Sequence, residues 1–512
     1  MLAAAVVIGP FWLQLATAVR AAAADHADQT AFTDLVAHGR PADAFRAAFA
    51  DGDELFATPF TALDGGGANV GQGQRFTRAP RADLNGPGEW AAHVPARAAG
   101  PNAQACTECH RLPSEDGAGG ASANVISDPE HTASPGSFIN RNTPALFGLG
   151  ALQRLAEEMS EELKHRRDAA VAGARSTGAA VTGPLIAKGI GFGTITVRPD
   201  GSVDTSAVMG VDADLVVRPF QWKGSIGTIR EFIRNAAHNE LGMQAVELVG
   251  DNVDGDFDGV TDELTIGDIT ALTLYNAAQP RPVTKIELAA LHLIPALSPA
   301  ETAAIQAGER LFDQTGCGTC HVKQLTIDNP VFSEPSLNPD YRDAVFPAGQ
   351  DPASRGVTPA LPVTFDLTGD QPDNRIAMPF GKVIRLGSFE RNESGQAVVH
   401  LFGDLKRHDM GPGLAESIDE TGTGASTFKT ANLWGVGSTA PYLHDGRATT
   451  LTEAILAHGG EGAAAKNAFD SLSPQDQQNL LAFLNNLVLY KQPASGTVQP
   501  RSPTPPSHRL HH

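Results

Sequence analysis

The four cysteines of this 512-residue chain fall into two copies of one short pattern, in which histidine follows the second cysteine. The copies are Cys106-Thr-Glu-Cys109-His110 and Cys317-Gly-Thr-Cys320-His321. A C-x-x-C-H run is the attachment site of c-type haem, whose vinyl groups bond both thiols while the histidine ligates the iron. The sequence therefore predicts two covalently bound c-type haems.

Two other interpretations of these cysteines stay open. The four thiolates could together hold one zinc ion, or each pair could form a redox-active dithiol or disulfide. Neither alternative requires a histidine directly after the second cysteine, and both copies have one. That repeated histidine favours haem.

Helical patterning surrounds both motifs and predicts a mainly α fold. Helix-like periodicity covers residues 31–60, 145–167, 228–243, 266–278, 299–315, 450–458 and 474–489. Each half of the chain places one cysteine motif after a helix or loop and follows it with long connections. We therefore expect two cytochrome c-like haem domains joined by long loops.

A β-rich segment interrupts the helices. Val181 to Pro219 alternates β-branched residues around a Pro-Asp-Gly-Ser turn, which predicts a small β-hairpin insertion. A proline-containing stretch near 280–299 separates the halves. The predicted domains are an N-terminal haem domain at 25–285 and a C-terminal one at 286–491, before a Pro- and Ser-rich disordered tail at 492–512.

The first 24 residues predict export. An apolar run from Leu2 to Val19 precedes small residues, as in a secretory signal peptide. An uncleaved anchor is the alternative, because no basic residue precedes the apolar run. We therefore expect a periplasmic protein, soluble or tethered only at its N-terminus.

The charge balance bears on partners. A formal net charge of -20 repels phosphate, which argues against nucleic acid and anionic membranes. The same charge suits a small basic electron-donor protein such as a cytochrome c. Simple solubility is the ordinary alternative.

Two blocks near the C-terminus resemble a known family. Phe428-Lys-Thr-Ala-Asn-Leu-Trp-Gly-Val436 and Thr439-Ala-Pro-Tyr-Leu-His-Asp-Gly-Arg447 are similar to a paired segment of the bacterial di-haem cytochrome c peroxidases and their relative MauG. The di-haem oxidoreductase branch, also named thiol oxidoreductases, is the most similar. The resemblance implies an enzyme that reduces hydrogen peroxide.

The resemblance also implies axial ligands. His458 falls where the peroxidases place the methionine of the C-terminal haem, so that haem would have His321 and His458 as ligands. Met410 is the rival ligand, and a helix cap is the ordinary alternative for His458. His131 is the candidate sixth ligand of the N-terminal haem, with His93 or an open iron as alternatives.

Two further residues take roles from the resemblance. Trp222, in Phe220-Gln-Trp-Lys-Gly224, would bridge the haems for electron transfer, and Glu240, in Glu240-Leu-Gly-Met243, would be the distal acid of the peroxide site. The ordinary alternatives are a core tryptophan and a surface glutamate.

Calcium is expected at one or two places. The resemblance implies an inter-domain Ca²⁺ held by Asn142, Thr439 and Pro441. Separately, Asp254-Gly-Asp256-Phe-Asp258-Gly259 follows a calcium-loop pattern, with Asp262 as a further ligand and Thr265 where glutamate is usual. An acidic turn without metal is the alternative.

Four functions stay open on these residues. Peroxide reduction with electrons passed from the C-terminal to the N-terminal haem is the leading hypothesis. MauG-like oxidation of a residue on a partner protein uses the same parts. A di-haem electron-transfer cytochrome without catalysis and a haem dioxygenase acting on an apolar polymer are the others.

Overall fold

The computed structural model describes residues 25–67, 102–127, 139–255, 258–342, 346, 350–378 and 381–492. The predicted signal segment at 1–24 and the tail from 493 lie outside these ranges. Within them, every helix is too short or too polar to cross a membrane.

Helices lie at each of the segments where periodicity predicts them. They are α1 Gln29–Ala37, α2 Pro41–Ala57, α3 Leu149–Thr177, α4 Ile229–Ala236, α5 Val246–Val249, α6 Ile266–Ala277, α7 Lys285–Ala290, α8 Pro299–Gln314, α9 Leu451–Leu456, α10 Ala463–Asp470 and α11 Pro474–Leu484. Side-chain caps explain several starts: Thr265, Ser298 and Thr450 each form a capping box with the acidic residue three positions on. Helix α3 runs ten residues beyond its predicted end and stops at Gly178, whose φ of 68° suits glycine.

Short strands occupy much of the remaining chain. They are β1 Val125–Ser127, β2 Ile139–Arg141, β3 Val181–Ala187, β4 Ile190–Val197, β5 Val203–Asp204, β6 Val283–Thr284, β7 Leu325–Ile327, β8 Val331–Glu334, β9 Val363–Asp366, β10 Arg375–Ala377, β11 Val383–Arg385, β12 Glu390–Arg391, β13 Ala397–Val399, β14 Arg407–Asp409, β15 Thr427–Lys429 and β16 Leu487–Val488. The strands pair antiparallel in sheets of two or three. Strands of this length cannot form a core alone, so they pack against the helices.

The predicted β insertion is present as an antiparallel sheet. Strands β3 and β4 pair from Val181 opposite Val197 to Ala187 opposite Ile190, with a bulge near Pro184. Strand β5 adds a third, shorter partner. The sheet packs beside α3, where the Arg166 guanidinium donates to the Ile186 carbonyl.

The larger hydrophobic core centres on α2, α3 and α6. Helix α2 crosses α6 at Gly52, where a side chain would collide with the Ala271 carbonyl. Phe45 of α2 stacks on Phe365 of β9, with ring centroids 4.7 Å apart. The core therefore includes residues from the second half of the sequence, between 325 and 405, as well as those of the first half.

A smaller core holds the second cysteine motif. Helices α8 and α11 meet at Gly308, where a side chain would collide with the Asn479 carbonyl. Phe312, Phe402 and Phe483 form edge-to-face ring contacts within it. Cys317 directly follows α8, so this core positions the motif.

Candidate functional site

The second cysteine motif lies opposite a histidine from a distant helix. Cys317 begins a 3₁₀ turn after α8, and the ring of His321 faces the ring of His458, with centroids 6.4 Å apart. If one metal ion is bound by a nitrogen of each ring, each metal–nitrogen bond is about 2 Å long and each nitrogen lies about 1.2 Å from its ring centre. The two ring centres must then lie nearly as far apart as is observed. The pair therefore fits one iron between two imidazoles.

Hydrogen bonds orient both rings for this purpose. Nδ1 of His321 lies 3.2 Å from the Phe402 carbonyl, and Nδ1 of His458 lies 2.8 Å from the Ala454 carbonyl. These contacts leave each Nε2 for a metal. Burial lowers the pKa of His321 to about 4 and also lowers the pKa of His458, so both are neutral, as ligation requires.

Met410, the rival ligand, lies near the segment that follows His458. Its terminal methyl lies next to Gly462, on the segment that follows His458. The ring opposite His321 is that of His458. The geometry at this site thus matches two histidines.

The first cysteine motif has the same local design. Cys106 begins a 3₁₀ turn, and Nδ1 of His110 lies 3.0 Å from the Pro144 carbonyl and 3.3 Å from that of Gly117. Burial lowers the pKa of His110 to about 4. His110 is therefore a neutral imidazole with its Nε2 left for iron.

His110 lies beside a cavity of about 400 Å³. Its lining includes Cys106, Cys109, His110, Arg141, Trp222 and Glu240, with apolar side chains from α4 and α6. The two thiols and the imidazole thus share one space with the predicted catalytic residues. His131 and His93, the candidate sixth ligands, lie outside the described residues.

Glu240 lies in a π-helical turn, Ala237–Leu241, that extends α4. The side-chain amide of Asn102 donates to its Oε2 at 2.9 Å, and the backbone N–H groups of Asn102 and Ala103 donate to its carbonyl at 2.8 and 3.0 Å. The segment before Cys106 therefore holds Glu240 at the cavity wall.

Trp222 connects this wall to the second half of the chain. Its indole N–H donates to the Asn142 carbonyl at 2.9 Å, and its own carbonyl accepts from the Lys429 N–H at 2.9 Å. Lys429 belongs to β15 and to the first of the two blocks that resemble the peroxidases. Trp222 therefore lies where elements from the two halves meet.

The residues of the expected inter-domain calcium site are partly gathered. The side-chain amide of Asn142 donates to the carbonyls of Pro441 and Leu443, at 2.8 and 3.2 Å. The Asn142 N–H also donates to the His444 carbonyl, while Thr439 bonds through its backbone to Val436. The calcium role stays a prediction.

The acidic loop forms a tight turn. Asp254 accepts from the N–H groups of Asp258 and Gly259, at 3.1 and 3.0 Å, and Asp262 accepts from that of Asn252 at 2.7 Å. Asp256 lies outside the described residues. The calcium role of this loop also stays a prediction.

Sequence reasoning overlooked an ionic network between the halves. Arg141 of β2 forms a bidentate ion pair with Glu416 and lies 3.0 Å from a Glu420 oxygen. Lys223, fully buried, donates to the Gly424 carbonyl at 2.7 Å and lies 4.4 Å from the centre of the Phe428 ring. Glu420 lines the cavity beside His110. Nothing local in the sequence marks pairs so far apart.

A second overlooked group surrounds His408. Its Nε2 lies 2.9 Å from Asp404, and its Nδ1 lies 2.8 Å from Glu461. Burial opposes protonation, but Asp404, Cys320 and Glu461 outweigh burial and raise the pKa of His408 to about 10. His408 is thus held between two carboxylates beside Cys320.

One family model matches the C-terminal part of the chain. Residues 391–487 match the family described as "Di-haem oxidoreductase, putative peroxidase". A segment of 102 residues is 38% identical to the cytochrome-c peroxidase IdrP2 of Pseudomonas sp. (strain SCT); it makes up 19% of this chain and about a quarter, 26%, of that protein's length.

Two solved structures are similar at low identity. A MauG-like protein associated with microbial copper homeostasis is 15% identical, with 67% of this chain and 89% of that chain covered and a TM-score of 0.27. The hydrazine synthase of Kuenenia stuttgartiensis is 11% identical, with 95% and 99% covered and a TM-score of 0.30.

Proposed function

We propose, from the match of residues 391–487 to the di-haem oxidoreductase family and from the peroxidase relative, that this chain is a periplasmic oxidoreductase with two c-type haems that reduces hydrogen peroxide. Electrons enter at the C-terminal haem site and reach the N-terminal one. The family match supports oxidoreductase chemistry with haem. Peroxide as oxidant is supported by the peroxidase relative, and export by the apolar first residues.

The observation that carries this proposal is the difference between the two sites. At the C-terminal site the ring of a second imidazole, His458, lies 6.4 Å from that of His321, so two histidines would hold the iron there. At the N-terminal site His110 borders a cavity that also contains a carboxylic acid, Glu240. A haem iron held by two histidines would suit electron transfer, and one held by a single histidine beside a cavity would suit substrate binding.

The residues present fit the two haems. Cys106, Cys109 and His110 would hold one, and Cys317, Cys320, His321 and His458 would hold the other. When bound, the haems supply the one-electron redox chemistry of iron. Proton transfer and positioning fall to the side chains of the chain itself.

Glu240 is placed to move the proton that the reaction requires. Reduction of H₂O₂ consumes two electrons and two protons and yields two waters. Glu240 takes a proton from one peroxide oxygen and delivers it to the other, which leaves as water. The amide of Asn102 orients the carboxylate for this transfer.

Trp222 lies on the route between the sites. Its ring borders the N-terminal cavity, while its backbone pairs with β15 of the second half. The indole hydrogen bond to Asn142 holds the ring in one orientation. Electron passage through Trp222 is therefore part of the proposal.

We include calcium and an external donor in the proposal. Ca²⁺ at Asn142, Thr439 and Pro441 would fasten the two halves beside Trp222, because Asn142 directly follows β2 and contacts Pro441, which lies after β15. The acidic loop, with Asp254, is the second calcium site. A small basic protein, such as a cytochrome c, would supply electrons.

The test uses the holoprotein with both haems attached. Electron paramagnetic resonance of the fully oxidised protein should show one low-spin haem and one high-spin haem. Stopped-flow mixing of the half-reduced protein with H₂O₂ should then change the N-terminal haem spectrum. Glu240→Gln should slow this step by about 10²–10⁴-fold. Glu54→Gln, at an exposed position of α2, is the matched control and should leave it unchanged.

Other outcomes would overturn the proposal in different directions. Two low-spin haems that ignore peroxide would indicate an electron carrier. A peroxide reaction without turnover on a reduced donor, but with oxidation of an added protein, would indicate the MauG-like activity.

A further inference from the structure

We infer that Tyr275 is a redox-active residue that gives an electron toward the N-terminal haem site while passing its phenolic proton to Asp116. This role rests on the proposed function, because peroxide supplies the oxidant. Tyr275 would be a second oxidisable residue, close to His110, besides the route through Trp222. It would let the protein store or export an oxidising equivalent.

The phenol and its proton acceptor are buried together. Tyr275 of α6 is 1% exposed, and its hydroxyl donates to Asp116, whose Oδ1 and Oδ2 lie 2.9 and 3.0 Å away. Asp116 is 0% exposed and follows the first cysteine motif by a few residues. A phenol hydrogen-bonded to a carboxylate can lose its proton at the moment it loses an electron.

The surrounding charges keep this pair in the required protonation states. Lys491 lies 2.6 Å from Asp116 and 2.7 Å from Asp373, and Asp53 also faces the phenol. Burial and the charge of Asp116 raise the pKa of Tyr275 far above its usual range, so the phenol does not ionise by itself. Burial raises the pKa of Asp116 to about 6, against the effect of Lys491.

One aromatic ring connects this pair to the haem ligand. The ring centroid of Phe56 lies 6.1 Å from that of His110 and 5.3 Å from that of Tyr275. Phe56 is itself buried on α2. The space between phenol and proximal histidine is therefore filled by packed side chains, which favours electron passage over a short distance.

The step balances in atoms and charge. Tyr275 with an anionic Asp116 becomes a neutral tyrosyl radical beside a neutral carboxylic acid, and one electron leaves toward the N-terminal haem site oxidised by peroxide. Only an O–H bond breaks on Tyr275, and only an O–H bond forms on Asp116. Because the proton stays in the hydrogen bond, return of an electron restores the starting state.

The chain contains four tyrosines, and a second buried one lacks this arrangement. The hydroxyl of Tyr341 contacts the Val217 carbonyl and the Ser160 hydroxyl, 2.8 Å away. A carbonyl and a hydroxyl are far weaker proton acceptors than a carboxylate. Tyr341 is therefore the matched control.

The experiment is peroxide addition to the fully oxidised holoprotein, freeze-quenched for electron paramagnetic resonance. A tyrosyl signal should form whose hyperfine structure narrows in protein grown with ring-deuterated tyrosine. Tyr275→Phe should lose the signal at unchanged haem content, and Tyr341→Phe should keep it. If Tyr275→Phe does not take up haem, the other three tyrosines are replaced one at a time. A signal that persists in Tyr341→Phe, Tyr442→Phe and Tyr490→Phe then belongs to Tyr275 by elimination.

The experiment distinguishes failure of the proposed function from failure of the role of Tyr275. A haem spectrum that never responds to peroxide overturns the proposed function, and this role with it. A haem response without a tyrosyl signal, or with the same signal in Tyr275→Phe, overturns the role of Tyr275 alone.

Discussion

At the scale of residues, the three histidines proposed as iron ligands share one design. His110, His321 and His458 each place Nδ1 against a backbone carbonyl, at distances between 2.8 and 3.3 Å. Each ring is buried enough for its pKa to fall below the usual range, so the neutral form is kept without a metal. The polypeptide thus prepares the imidazoles before haem is attached.

The identity of the sixth ligand should set the potential of the C-terminal haem. His458→Met should raise its reduction potential on the order of 0.1 V, within the roughly 0.8 V that axial ligands span, because thioether favours the reduced iron. Spectroelectrochemical titration measures this change. His165→Ala, at an exposed position of α3, is the control. An unchanged potential in His458→Met would mean that another residue, such as Met410, is the ligand.

The tyrosyl signal should depend on pH through Asp116. Its carboxylate accepts the phenolic proton only when ionised, and its pKa is about 6. The yield of the tyrosyl radical should therefore be highest at pH 8 and should fall as the pH drops through about 6. Lys491, Asp53 and Asp373 also face the pair, so the comparison is made in Asp116→Asn. That variant should give a low yield at every pH; a pH-independent yield in the unmodified protein contradicts the mechanism.

At the scale of elements, the candidate ligand His458 follows a short helix that depends on its cap. Helix α9 has only six residues, and His458 lies just beyond its end. Thr450 accepts from the Glu453 N–H at 3.2 Å, and the Glu453 carboxylate accepts from the Thr450 N–H at 3.0 Å. A helix this short forms only with tertiary packing and such a cap.

Removal of this cap should loosen the His458 ligand. Thr450→Ala should cost about 1 kcal/mol of unfolding free energy and should let cyanide displace His458 more readily. Denaturant midpoints and cyanide titration of the C-terminal haem measure the two effects. Ser473→Ala removes the cap of α11, which carries no ligand, so it should lower stability alone. Equal cyanide affinity in both variants would show that the cap of α9 does not affect how firmly His458 is held.

At the scale of the whole molecule, distant parts of the chain are joined by buried charge. Arg141 pairs with Glu416 across 275 positions, and Lys491 pairs with Asp116 across 375. A buried charge without its partner is costly, so these pairs define where the C-terminal residues must lie.

Loss of the Lys491 charge should destabilise the protein. Lys491→Met should cost about 3 kcal/mol of unfolding free energy at pH 8, because Asp116 is left buried and ionised. The loss should be smaller at pH 5, where Asp116 is protonated. Denaturant titrations of the holoprotein at both pH values measure it, with Lys382→Met, at an exposed position, as control. A loss independent of pH would point to lost packing instead.

The overall charge should govern the encounter with the electron donor. With a net charge of -20, the rate of electron transfer from a basic cytochrome c should fall as salt concentration rises. Stopped-flow measurement across ionic strengths tests this. An acidic donor of similar potential should show the opposite trend, and a salt-independent rate would exclude electrostatic steering.

Much of the secondary structure and the haem attachment follow from local pattern. The C-x-x-C-H motifs act within one turn of chain, and helical periodicity and caps act within a few residues, so the sequence alone marks them. The β insertion is also predicted by local pattern. Its third strand, β5, is too short to be predicted from the sequence.

Only the tertiary structure could bring together residues from distant elements. The packing of the two cores decides three contacts. They are the facing rings of His321 and His458, the hydrogen bond from Trp222 to Asn142, and the hydrogen bond from Tyr275 to Asp116. Resemblance suggested the first of these, whereas no local pattern marks the phenol and its carboxylate. Packing of helices and strands is decided by the summed burial of many side chains, so a contact across hundreds of positions leaves no trace in the residues beside it.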